Sequence, residues 1–151
     1  MRLNYMRVVG AGVVGTLVMT AVGLWIAPVM GLPKMNPAEM LAGTMGGVAI
    51  LGWIGHMMIG SILALFYATL AASRLPGPPA VRGAVFSLAP WLMAQAMVMP
   101  MMGMPLFSGS MPMAMGSLVG HLIYGVVVGG MIGAPRVAGV RGEGRQTADA
   151  S

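Results

Sequence analysis

The sequence predicts an all-α membrane protein with four spanning helices, and three observations carry that prediction. Only 7% of the 151 residues are charged against 58% hydrophobic, where a soluble domain carries about a quarter charged residues. Four stretches, Val8–Met30, Val48–Ala72, Gly83–Met102 and Ala114–Ala134, are apolar over the ~20 residues a bilayer crossing needs. Seven of the eight basic residues fall on alternate segments between them. Arg2 and Arg7 precede the first stretch, Arg74 and Arg82 lie between the second and third, and Arg136, Arg141 and Arg145 follow the fourth. Lys34, beside Glu39, is alone on the opposite side.

Short basic loops stay cytoplasmic, so both termini and the middle loop are expected on the cytoplasmic side of the membrane. Residues 1–138 then form one four-helix transmembrane domain. The polar stretch 139–151, ending RGEGRQTADAS, reads as a disordered cytoplasmic tail. In a soluble chain the net charge of +5 would raise nucleic acid as a partner. Here it sets orientation, so no nucleic acid is expected. The expected partners are the lipid bilayer and another membrane protein or a second copy of the chain. With no cysteine in the chain, disulfides, thiolate metal sites and thiol nucleophiles are all excluded.

Taken in order, the opening MRLNYMR imitates a secretory signal, but the apolar run that follows is too long and lacks a small-x-small cleavage site. It reads as an uncleaved first helix. VVGAGVVG spells the GxGxxG fingerprint of dinucleotide sites, which functions only between a strand and a helix. Inside a membrane span those glycines serve packing. Pro28, Pro33 and Pro37 punctuate the exit, and Asn36, Pro37 and Glu39 have the spacing of a capped helix start with a closing capping box. A helix unbroken from there to Ala72 would be ~54 Å long, too long for a ~30 Å hydrocarbon core. The Gly46–Gly47 pair is the expected break, leaving Pro37–Met45 at the outer surface. LPGPP at Leu75–Pro79 makes a stiff inner turn. Gly31–Pro33 precedes Gly55–His56 as Gly103–Pro105 precedes Gly120–His121. Two like-oriented two-helix units, a short parallel repeat, would account for that order.

The histidines carry the most information. Steps of four through the second span give Gly52, His56, Gly60, Ala64, Ala68 and Ala72, and through the fourth Ser117, His121, Gly125, Gly129 and Gly133. The first span has a similar stripe, Ala11, Gly15, Met19, Gly23 and Ala27. Small residues mark the faces on which membrane helices approach closely. Both imidazoles therefore face the bundle interior, and counting back from the inner arginines puts them at similar depth. No acid is available there, so both are expected neutral. The leading reading is an interior polar cluster of His56, His121, Gln95, Thr16 and Thr20, with Gln95 as the partner of His121.

Two ligand readings stand beside it. Two histidines at similar depth on like-oriented helices suit a haem b. Alternatively, the chain has 19 methionines, eight of them between Met97 and Met115, and thioethers with imidazole suit Cu(I). On that reading Met93, Met97 and Met101 form a stripe, with Met104, Met111 and Met113 at its mouth. The plain alternative is methionine as a flexible filler. No catalytic constellation appears, since the spans hold no carboxylate and no thiol. Tyr67 and Tyr124 read as packing groups, and Trp25, Trp53 and Trp91 are too central in their spans for all three to be interface anchors.

As strings, AGVVGTLVMT, GWIGHMMIGSILALFYA, RLPGPPAVRGAVF, MPMMGMPLF and GHLIYGVVVG resemble a family of small bacterial four-helix membrane proteins of unknown function. The resemblance runs from Ala11 to about Gly130. Trp53 with His56, and His121 with Tyr124, are its most distinctive matches. It implies a multi-pass inner-membrane protein and brings no activity, cofactor or substrate. Together these readings predict an accessory, stabilising or small-solute-permeation component. The alternative is a haem- or Cu(I)-binding protein using His56 and His121.

Overall fold

The computed structural model describes residues 4–133. Arg2, Arg136, Arg141, Arg145 and the 139–151 stretch lie outside them. All regular structure among the described residues is helical: α1 (Tyr5–Val29), α2 (Pro37–Thr44), α3 (Ala49–Ala71), α4 (Pro79–Met101) and α5 (Met111–Ile132). The four long helices have 22 to 25 residues, or ~33–37 Å at 1.5 Å per residue, enough to cross a bilayer. The chain is thus a multi-pass membrane protein.

Local chemistry explains the boundaries. Asn4 caps α1 by accepting from the Arg7 amide at 3.1 Å. Asn36 caps α2, its side chain accepting from the amides of Ala38 and Glu39 at 3.2 and 3.4 Å. Glu39 thus supplies an amide, rather than the return bond of the expected capping box. Gly46 and Gly47 both have positive φ, 72° and 79°, and break α2 from α3 where expected. The third span starts earlier than predicted, at Pro79, since proline suits the first helical turn.

Packing gives the lateral order α3, α1, α5, α4. Glycine makes each crossing close. A Cβ on Gly12 would lie 2.7 Å from Ser61 Cα, and one on Gly60 would overlap the Thr16 hydroxyl. In the other pair, Gly83 faces the Gly125 carbonyl and Gly129 faces the Pro79 carbonyl. Helix α2 folds back so that Ala38 and Ala42, both buried, sit on Gly52. Helices α3 and α4 meet at the Arg74–Arg82 end, where Tyr67 packs on Phe86 with ring centroids 5.5 Å apart.

The expected repeat has a structural counterpart. Helix α1 carries one wide π-turn at Val22–Ile26 and α4 carries one at Ala94–Val98, each followed by a turn holding a proline, while a third π-turn, at Tyr67–Ala71 of α3, has no counterpart in α5. Helices α1 and α4 then end alike. The amides of Met30, Gly31 and Leu32 donate to Ile26 and Ala27, Pro28, and Ala27. Those of Met102, Gly103 and Met104 donate to Val98 and Met99, Pro100, and Met99. Gly31 and Gly103 close the two ends at φ 78° and 80°, a conformation open to glycine and costly for other residues. In the helices that follow, His56 and His121 hold corresponding places, as do Gly60 and Gly125 at the crossings.

The described arginines share one end, and each donates to a carbonyl beside a helix C-terminus. Arg7 reaches the Met131 carbonyl at 2.7 Å, Arg74 the Leu70 carbonyl and Arg82 the Ala72 carbonyl at 2.8 Å. Cations are stabilised there by the helix dipole.

Candidate functional site

Between the two units lies a cavity of about 180 Å³, lined by both histidines. Its walls come from α1 through Thr16 and Met19, from α3 through His56 and Gly60, and from α5 through Ser117, His121 and Tyr124. Toward the arginine end it is closed by Tyr124, whose hydroxyl donates to the Gly60 carbonyl at 2.5 Å. At the other end the segment after α1 folds across it, the Met35 amide donating to the Gly23 carbonyl at 3.0 Å. Between α3 and α4 the wall is thin: Ile59 and Met93 line the cavity while remaining 43% and 50% exposed.

The hydrogen-bond partners of each ring bear on its tautomer. The Thr20 hydroxyl donates to the Thr16 carbonyl at 2.8 Å and lies 3.1 Å from His56 Nε2. A hydroxyl has one proton, and the carbonyl can only accept it. Both contacts are satisfied together when His56 Nε2–H donates to Thr20 Oγ1, which leaves the His56 lone pair on Nδ1. In His121 the order is reversed. Nδ1 is 2.8 Å from the Ser117 carbonyl, so it carries the proton and Nε2 keeps the lone pair. Neither free nitrogen is bonded or sealed among the described residues, where Arg82 Nε is the fully buried, unpartnered side-chain polar atom.

The predicted cluster is thus brought together in part. Thr16, Thr20 and His56 form one chain of hydrogen bonds, Thr16 Oγ1 donating to the Gly12 carbonyl at 2.7 Å. His121 lies across the cavity. Gln95 is not its partner: the carboxamide donates to Ser117 Oγ at 3.2 Å and accepts from Ser108 Oγ at 3.0 Å. The π-turn at Ala94–Val98 re-aims Gln95, so Ser117 meets His121 with its carbonyl and Gln95 with its hydroxyl. Ser108 is held in this bond at φ 59°, beside Phe107 at 54°, backbone conformations that cost free energy for non-glycine residues.

The same π-turn corrects the methionine stripe. One extra residue in the turn rotates all that follows, so Met97 and Met101 point outward, 58% and 83% exposed. Met111 is exposed as well. The thioethers at the cavity are instead those of Met19, Met35, Met40, Met93, Met99 and Met102. Tyr124 was also legible only as packing, although it follows His121 by one helical turn and so shares its face. Tyr67 likewise donates, to the Pro79 carbonyl at 3.2 Å.

One family's sequence model, described as a family of unknown function (DUF6789), matches residues 3–138. The chain belongs to this family. No curated protein and no solved structure matches it. For this DUF6789 member, the bis-histidine haem reading does not fit the geometry. A cavity of about 180 Å³ is close to the ~150 Å³ that holds one benzene, and Thr20 occupies His56 Nε2.

Proposed function

We propose that this DUF6789 protein is a membrane-embedded binding protein for one small solute, received between α3 and α4 and held at His56 and His121. The cavity carries the reading: its size suits a few heavy atoms, and it joins the corresponding histidines of both units. The lining is apolar apart from a few convergent polar groups, the usual make-up of a ligand site. Tyr124 and the glycine crossings close its floor, which favours a binding pocket over an open pore. In this reading the arginine end is cytoplasmic. The same cavity favours solute handling over a purely stabilising role, since a stabilising core would fill the space between its units.

The test is methyl NMR on protein carrying ¹³C-methyl methionine in lipid nanodiscs, with xenon as a small apolar probe. Xenon should shift the methyls of Met19, Met35 and Met93 saturably, while lipid-facing Met101 drifts linearly with pressure. Cavity methyls that respond like Met101 would refute the binding reading.

A further inference from the structure

We propose that the solute is a soft monovalent cation, Cu(I), bound by His121 Nε2 and His56 Nδ1 together with the thioethers of Met19 and Met35. This rests on the binding reading above and names its ligand class. Each imidazole donates its other N–H to an oxygen, His121 to a main-chain carbonyl and His56 to a threonine hydroxyl. Metal-binding histidines are held this way, because the outer hydrogen bond fixes the tautomer and aims the lone pair. Both histidines line the same cavity, and neither free nitrogen is among the fully buried, unpartnered polar atoms of the described residues.

The thioethers are near the same helix face. A Cβ on Gly120 would lie 3.2 Å from Met19 Cγ and 3.6 Å from Cε, so the two carbons that flank the Met19 sulfur rest against the residue before His121. A Cβ on Gly116, one turn away, would lie 3.7 Å from Met35 Sδ. The glycines thus let two thioether side chains approach the helix that carries His121, Met35 through its sulfur and Met19 through the carbons beside it.

The donor set selects the ion. It offers lone pairs on nitrogen and sulfur, while the Tyr124 hydroxyl proton is already committed to Gly60. A guest must therefore accept electron pairs. Hard cations such as Na⁺ and Mg²⁺ require oxygen ligands. Zinc is divalent, and nothing in the lining is charged to offset it. Burying an ion costs in proportion to the square of its charge, so a neutral site inside a bilayer disfavours a dication strongly. Thioether with neutral imidazole is the pairing that suits Cu(I).

The experiment uses Ag⁺, a redox-inert stand-in, on the same labelled protein in nanodiscs, with Zn²⁺ and xenon in parallel. One equivalent of Ag⁺ should shift the Met19 and Met35 methyls, and Zn²⁺ should not. His121→Asn should weaken Ag⁺ at least tenfold while the xenon response persists. Met19→Leu, which conserves volume, should do the same and covers the case in which the histidine variant fails to fold. Cu(I) under reductant should give an absorption edge with sulfur and nitrogen neighbours. If xenon moves the cavity methyls but Ag⁺ moves only exposed ones, or Zn²⁺ binds equally well, the metal assignment fails and the cavity reading survives. If xenon also has no effect, both fail.

Discussion

The Tyr124 hydroxyl donates to the Gly60 carbonyl at 2.5 Å, while the opposite face of Gly60 rests on the Thr16 hydroxyl. One glycine therefore ties α1, α3 and α5 together directly beneath the cavity. The bond is buried, and its acceptor has few other donors within a bilayer.

Tyr124→Phe removes that bond and keeps the ring that packs against Gly15. Hydrogen bonds between membrane helices average ~0.6 kcal/mol with a maximum near 1.7. The variant should fold and lose about 1 kcal/mol in reversible unfolding from mixed micelles. A loss above about 3 kcal/mol would mean that Tyr124 holds more than this contact.

Gly60→Leu and Gly125→Leu should be far more damaging, because the first added atom meets the Thr16 hydroxyl or the Gly83 carbonyl. Overpacking costs ~1–3 kcal/mol where side chains can yield, and more where backbone is the obstacle. Neither variant should give a monodisperse protein at parental yield. Leu63→Ala, at the cavity wall, should cost less than about 2 kcal/mol, below the range for a filled core. Equal yield and melting of Gly60→Leu and the parent would show that the crossing is not a close one.

The spans and the faces they bury were legible because both depend on periodicity. The stripe from Gly52 to Ala72 is buried throughout, and the Asn36 cap and the Gly46–Gly47 break follow from local chemistry. Partners across the cavity were less legible. Each step of four assumes 3.6 residues per turn, and the π-turn at Ala94–Val98 shifts that count by one. It re-aims Gln95 and replaces Met97 and Met101 with Met99 and Met102. Pro100 follows it as Pro28 follows the π-turn of α1, but the π-turn at Tyr67–Ala71 of α3 has no proline in the turn after it, so proline alone does not mark such turns. The tautomers needed coordinates, since they depend on whether Thr20 and Ser117 offer an oxygen to a nitrogen.

Orientation is testable with reporters. A fusion within residues 76–80 should read cytoplasmic and one at Met35 or Ser108 external, since Arg7, Arg74 and Arg82 share one end and short basic loops stay inside. Replacing Arg74 and Arg82 by alanine should give mixed topology, and should also lower stability by removing donors to the Leu70 and Ala72 carbonyls. An external signal from the 76–80 fusion would invert the reading.

The hydrogen bond between His56 and Thr20 gives the sharpest check on the interior chemistry. His56→Asn should be tolerated better than His56→Leu, because an amide N–H can still donate to Thr20 Oγ1, whereas leucine leaves that oxygen with one partner fewer. Thr20→Val removes the same bond from the other side. A double-mutant cycle of His56→Leu and Thr20→Val should return a coupling of ~0.6–1.7 kcal/mol, the range for polar contacts between membrane helices. The control is the cycle of His121→Leu with Gln95→Leu. Those side chains reach Ser117 through different atoms, the carbonyl and the hydroxyl, so their coupling should be within ~0.5 kcal/mol of zero. A strong coupling in the control with none in the first cycle would restore the Gln95–His121 pairing and remove the basis for the tautomers assigned to both rings.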